Sequence, residues 1–214
     1  MFKVKDKNGV EVQLPKYVAK CTTVGSGNIF VGKAKNRFVK QANASFEILA
    51  EGATKDETIR VSDMPFGEAI SVVSEATNTA VMTVEGKDYM GQKMIEQITL
   101  ASATEVKGKK AFKIIERVSV AAANAKAVTA STKGVVGLEF CALGKDNIAK
   151  NGVADATIAI TVGVRTQSAT SADTRGTLDI SGAAAGDVVD VVYNVTDYVA
   201  DDKGGLFGVP HYAG

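Results

Sequence analysis

A chain of 214 residues, 45% apolar and 23% charged, has room for one large folded domain or two small ones and the composition of an ordinary globular protein. Its net charge of +1 supplies no field that would draw it to nucleic acid or to a membrane surface. One His, two Cys, no Trp and 6% aromatics leave little material for a zinc site, a disulfide framework or an aromatic-lined ligand pocket.

The first fourteen residues predict a hairpin. Phe2 and Val4 alternate with Lys3 and Lys5, Asn8-Gly9 is a two-residue turn, and Val10, Val12 and Leu14 alternate with Glu11 and Gln13. The same stretch lacks the apolar run of a secretory signal, so none is expected. Pro15 ends the pattern, Gly25-Ser26-Gly27-Asn28 marks a loop, and Ile29 to Val39 carries Gly32 and basic residues that blur any period. Phe46, Ile48 and Ala50 alternate with Glu47 and Leu49, which allows a strand.

From Thr58 onward strands are expected at Thr58–Val61, Ala69–Ser74, Ala80–Glu85, Lys93–Ala101, Ala111–Val120, Gly137–Ala142, Ala156–Val164, Gly176–Leu178 and Val188–Val192. Gly-, Asn-, Asp- or Pro-rich separators divide them, among them Asp88 to Gly91 and Asn151-Gly152. Met94, Ile98 and Leu100 share one face with Glu96. Ile114, Val118 and Val120 fall on one side of the next strand, opposite Lys113, Ile115, Arg117 and Ser119. Ala121–Ala130 has helix propensity without an apolar stripe, so loop and short helix both stay open. Short strands at intervals of about ten residues predict an all-β fold, a β-sandwich or jelly-roll-like stack of antiparallel sheets with long loops and extended termini. The expected organisation is a loop-rich basic segment over 1–57, a sandwich body over 58–200 and an extended tail over 201–214.

Charge is distributed unevenly. Residues 1–60 carry eleven Lys/Arg and six Asp/Glu, whereas residues 151–214 carry three and eight. The two ends either pair within one subunit or meet between neighbouring copies.

The patterns that could carry chemistry fall short in turn. His211, the single His, lies in the glycine-rich terminal segment, where rigid placement is not expected. Gly25-Ser26-Gly27-Asn28 and Gly134-Val135-Val136-Gly137 lack the lysine and helix of a phosphate loop and are expected to be turns. Asp187, Asp190, Asp197, Asp201 and Asp202 have no ion-binding spacing and are expected on a solvated edge. Lys107, Lys109, Lys110 and Lys113 are expected to keep a turn soluble. No catalytic, cofactor-binding or metal-ligating residue is therefore expected. The tail does carry Leu206, Phe207, Val209, Pro210 and Tyr212, an apolar content unusual for a disordered end. With Phe2 and Val4 of the hairpin, these are the candidate partner-binding residues.

Thr83 to Leu100, with its Asp88-Tyr89-Met90-Gly91 turn, is followed by Gly108-Lys109-Lys110-Ala111-Phe112-Lys113. The sequence over 58–142 resembles virion proteins of tailed bacteriophages, in which a strand, a D-x-x-G turn and a second strand precede a G-x-K-A-F-K-like stretch. The resemblance implies a capsid decoration, or cement, protein of sandwich or jelly-roll form. Such a protein is a symmetric homo-oligomer, such as a trimer, that contacts the major capsid protein and its own neighbouring copies. It is made in the host bacterial cytoplasm and resides on the capsid surface of the virion, with no cofactor, nucleic acid or membrane among its partners. A tail-tube, connector or fibre subunit, a carbohydrate-binding β module and a hydrolytic enzyme are the competing expectations.

Overall fold

The computed structural model describes residues 3–5, 11–13, 22–24, 29–49, 54–75, 79–120, 127–196 and 205–211. In chain order the strands are β1 (Lys3–Lys5), β2 (Glu11–Gln13), β3 (Thr22–Val24), β4 (Ile29–Val39), β5 (Ser45–Leu49), β6 (Thr54–Arg60), β7 (Glu68–Ser74) and β8 (Val81–Lys87). They continue with β9 (Lys93–Thr99), β10 (Val106–Lys107), β11 (Ile114–Val120), β12 (Val128–Gly137), β13 (Ala142–Lys150), β14 (Val153–Ala154), β15 (Ala159–Val162), β16 (Gly176–Asp179) and β17 (Val188–Thr196). One 3-10 turn, Gly205–Phe207, follows. The protein is all-β.

β1 and β2 pair antiparallel as the expected hairpin requires, but with Val4 opposite Val12, where a two-residue Asn8-Gly9 turn would set Val4 opposite Gln13; residues 6–10 lie outside the described residues. The remaining strands form three antiparallel sheets. A six-stranded sheet runs β10-β7-β12-β16-β15, with β5 also pairing β12; a four-stranded sheet runs β6-β11-β8-β9; a five-stranded sheet runs β14-β13-β17-β4-β3.

Two apolar cores lie between these layers. One joins Ile70 and Val72 of β7 and Val128 and Ala130 of β12 to Met82, Val84, Met94, Ile98, Ile115 and Val118 of the four-stranded sheet. The other joins Val136 of β12 and Leu178 of β16 to Phe38, Ile148, Val189, Val191 and Tyr193 of the five-stranded sheet. β12 therefore spans both cores. Gly134 in its middle has φ +91°, where pairing to β7 shifts register, and its N–H donates to buried Glu68 Oε1 at 2.6 Å. The expected turn at Gly134–Gly137 is thus a bulge inside a strand. Of Gly137–Ala142, expected as a strand, residues 138–141 are the connection between β12 and β13.

β4 pairs along its length with β17, from Val31 opposite Thr196 to Val39 opposite Val188. Its blurred sequence has a physical cause: Ala34 and Phe38 face the core, while the intervening Lys35 and Arg37 reach the solvated face. There Arg37 Nε and Nη2 donate to Asp190 Oδ1 and Oδ2 at 2.8 and 3.0 Å, and Lys33 Nζ lies 2.7 Å from Asp146. Basic N-terminal and acidic C-terminal residues thus pair within one chain. The division expected at residue 57 coincides with no break in pairing, since β4, β5 and β6 share sheets with β17, β12 and β11.

β11 corrects one face assignment. Ile115 and Val118 are both buried, although three residues apart, because register shifts between Ile115 and Arg117 against both neighbouring strands. A bulge flips side-chain parity, which strict alternation misses. At the β13–β14 hairpin the sequence signal holds: Asn151 (φ 51°) and Gly152 (φ +81°) form the two-residue turn.

Candidate functional site

The strongest departure from an apolar interior is a chain of buried polar groups where the β8–β9 turn, the β10–β11 loop, the start of β16 and the C-terminal segment meet. Asp88 opens the D-x-x-G turn. Its Oδ1 accepts the N–H groups of Met90 and Gln92 at 2.9 and 2.8 Å, and Gly91, at φ +77°, completes the bend. Its Oδ2 accepts from Arg175 Nη2 at 2.8 Å, both side chains being buried. The Arg175 guanidinium also lies 4.8 Å from the centre of the Tyr89 ring. Burial pushes the Tyr89 hydroxyl up to about 12, against the opposing pull of Arg175.

Asp173 is fixed in a similar way. Its Oδ2 accepts Ala111 N–H at 3.0 Å and its Oδ1 accepts Arg175 N–H at 2.9 Å. His211 closes the group at 1% exposure. Arg175 Nη2 stands 3.1 Å from its Nε2, Thr174 Oγ1 lies 3.4 Å from its Nδ1, and Asp173 Oδ1 and Asp88 Oδ2 lie 3.7 and 3.9 Å from Nε2. Burial pushes the imidazole down to about 4; Arg175 and Lys110 add to this, and Asp173 and Asp88 oppose it.

Next to this cluster, Glu96 occupies the apolar face of β9 between Met94 and Ile98. Lys109 N–H donates to its Oε1 at 2.6 Å and Lys110 N–H to its Oε2 at 3.4 Å. Burial pushes its carboxyl up to about 7, although those two N–H groups and Lys110 favour the charged form. Lys110 is fully buried and donates to the carbonyls of Ile95 and Ser168 at 2.8 and 2.7 Å. Burial lowers its pKa from the usual lysine value. The lysine group expected to be solvated at a turn is instead split, with Lys110 and Lys113 capping carbonyls inside the fold. Gly108 permits this: its N–H donates to Ile70 O at 2.8 Å, and a Cβ there would stand 2.6 Å from that same oxygen.

The terminal residues singled out from sequence fare differently. Leu206 is buried in the core of the five-stranded sheet, and Cys141 N–H donates to its carbonyl at 2.8 Å. Phe207 packs on Phe140 with ring centres 5.5 Å apart, Val209 is half-buried and Pro210 is exposed. Val4 pairs with Val12 in the hairpin, while Phe2 and Tyr212 lie outside the described residues. His211 overturns the expectation of a loosely placed terminal residue. Its seat is made by groups distant in sequence, Asp88, Asp173, Thr174 and Arg175, and no spacing in the chain signals their convergence. Glu96 was legible as a carboxyl on an apolar face, and Asp88 as a turn residue. Arg175 carried no signal.

A depression of about 270 Å³ lies elsewhere, lined by Lys150, Asp155, Thr157, Ile158, Asp179 and Ser181 among others. Its polar groups have local partners: Asp155 accepts from Thr157 and pairs with Lys150 at 3.3 Å, and Asp179 accepts Ser181 N–H at 2.9 Å. Among the described residues no cluster of His, Cys, Asp and Glu is arranged to hold a metal ion, and no helix is long and apolar enough to cross a membrane. No protein-family model, curated protein or solved structure matches the chain.

Proposed function

We propose that the chain is a structural subunit of a bacteriophage virion, a decoration protein that binds the major capsid protein and neighbouring copies of itself and stabilises the head without catalysing a reaction. The observation that carries this reading is what the buried ionisable groups do. Asp88, Glu96, Lys110, Asp173, Arg175 and His211 are bonded to backbone groups or to one another, and they hold turns and the C-terminal segment in place. Their contacts join three loops to the C-terminal segment, which suits a part that bears load. The β body supplies the layered scaffold, and the resemblance over 58–142 supplies the setting. In a symmetric assembly, many modest contacts repeated around the particle add up to strong attachment.

The test is a comparison of virions with and without the protein, heated in steps while DNA release is followed with an intercalating dye. Heads lacking it are expected to open at a lower temperature, and added protein restores the difference. Equal heat stability overturns the reading, as does an image reconstruction that places the subunit in the tail.

A further inference from the structure

The C-terminal segment Gly205–His211 crosses the body as a strap. Leu206 enters the core, Phe207 rests on Phe140, and Gly208 turns at φ +70° so close to Thr174 that a Cβ would stand 2.9 Å from its carbonyl oxygen. His211 then drops into its buried seat.

The seat specifies the protonation state of the imidazole. A guanidinium donates and never accepts, so Nε2, at 3.1 Å from Arg175 Nη2, must present its lone pair. The one proton of the neutral ring then belongs on Nδ1; Thr174 Oγ1, 3.4 Å from Nδ1 and 3.3 Å from Nε2, lies against the ring without selecting either nitrogen. A second proton, taken from solvent onto Nε2, sets donor against donor and places a cation beside Arg175 away from water. The charged and titratable groups around it come from every packed element: Asp88 and Tyr89 from the β8–β9 turn, Asp173 and Arg175 from the approach to β16, and Lys110 from the β10–β11 loop. The two carboxylates attract the added proton, but each already holds other partners. Asp88 serves two turn N–H groups and Arg175, and Asp173 serves the N–H groups of Ala111 and Arg175. None of those bonds involves the strap, so the seat stands without it.

We infer that the strap is an acid-released latch: protonation of His211 at Nε2 detaches Gly205–His211 from its seat while the β body stays folded, baring the Phe140 ring and the Arg175–Asp88 pair. The inference is independent of the virion reading, since it concerns only contacts within one chain.

The chain has a single His, so its imidazole signals in NMR need no assignment. On the full-length protein, the imidazole resonances and the hydrogen exchange of 205–211 are followed from about pH 7.5 to about pH 4, with exchange corrected for its intrinsic pH dependence. The neutral form is expected as the Nδ1–H tautomer with a midpoint well below 6.5, and the Cys141 amide and strap are expected to lose at least about tenfold protection at that midpoint while β8, β9 and β11 keep theirs. His211→Gln, which offers an acceptor to Arg175 but does not titrate in this range, is expected to stay latched in acid. An Nε2–H tautomer, a midpoint near 6.5, strap protection constant with pH, or loss of protection only together with the body overturns the inference. So does a His211→Gln strap that releases at the same midpoint.

Discussion

Replacing Glu96 by Gln turns a deeply buried carboxyl into a measurable slope. Burial raises its pKa from 4.5 to about 7. The folded chain therefore keeps this proton at pH values where the unfolded chain has lost it. The stability it contributes is complete below about pH 4.5 and is lost as pH rises through about 7. A shift of that size corresponds to about 3 kcal/mol, and the deep burial of the group leaves little solvent screening to reduce it. Glutamine has nearly the same shape and keeps an oxygen for Lys109 N–H, but its amide group faces Lys110 N–H. Glu96→Gln is thus expected to be slightly destabilised at pH 4.5 and to gain about 3 kcal/mol relative to the parent by pH 8. The assay is urea unfolding of both proteins across this range, read as the difference in unfolding free energy. Glu68 and Glu139, also raised chiefly by burial, titrate in both proteins and cancel in that difference. His211 acts in the opposite sense, since a depressed imidazole loses stability as pH falls, and it flattens the parent curve without altering the difference. A difference that is constant with pH refutes the reasoning.

Other substitutions separate buried from exposed polar contacts. Asp88→Ala strands the Arg175 guanidinium and frees two turn N–H groups, and is expected to cost about 3–5 kcal/mol in urea unfolding. Arg37→Ala removes a pair whose Arg side chain is 65% exposed, and a loss below about 1 kcal/mol is expected by the same assay. Lys110→Met keeps the stem but leaves the Ile95 and Ser168 carbonyls without their donor; a loss of about 1–3 kcal/mol, with faster hydrogen exchange around Ser168, is expected. Gly86→Ala drives a methyl into the Ile114 carbonyl across the β8–β11 pair, and thermal unfolding is expected to show a loss of about 1–3 kcal/mol.

How much of this was readable beforehand follows from the range over which each signal acts. Alternation is a local property of the chain, so the apolar faces of β8 and β9, the pairing of β1 with β2 and the Asn151-Gly152 turn all stand in the sequence itself. So does the oddity of Glu96, a carboxyl in line with Met94 and Ile98. Where a bulge intervenes the local rule fails, as at Ile115, because one extra residue reverses every later side chain and only the neighbouring strand reveals the shift. β4 was hidden for a related reason: its basic residues find acidic partners on β13 and β17, more than a hundred residues away.

Composition and period thus determined the all-β class, most strand positions and the scarcity of reactive groups. Tertiary structure decided where the charges went. A lysine or histidine read alone belongs in water, because removing a charge or a polar ring from solvent is costly. That cost is met only when distant residues bring partners to the same place, as Ile95 and Ser168 do for Lys110, and as Thr174 and Arg175 do for His211.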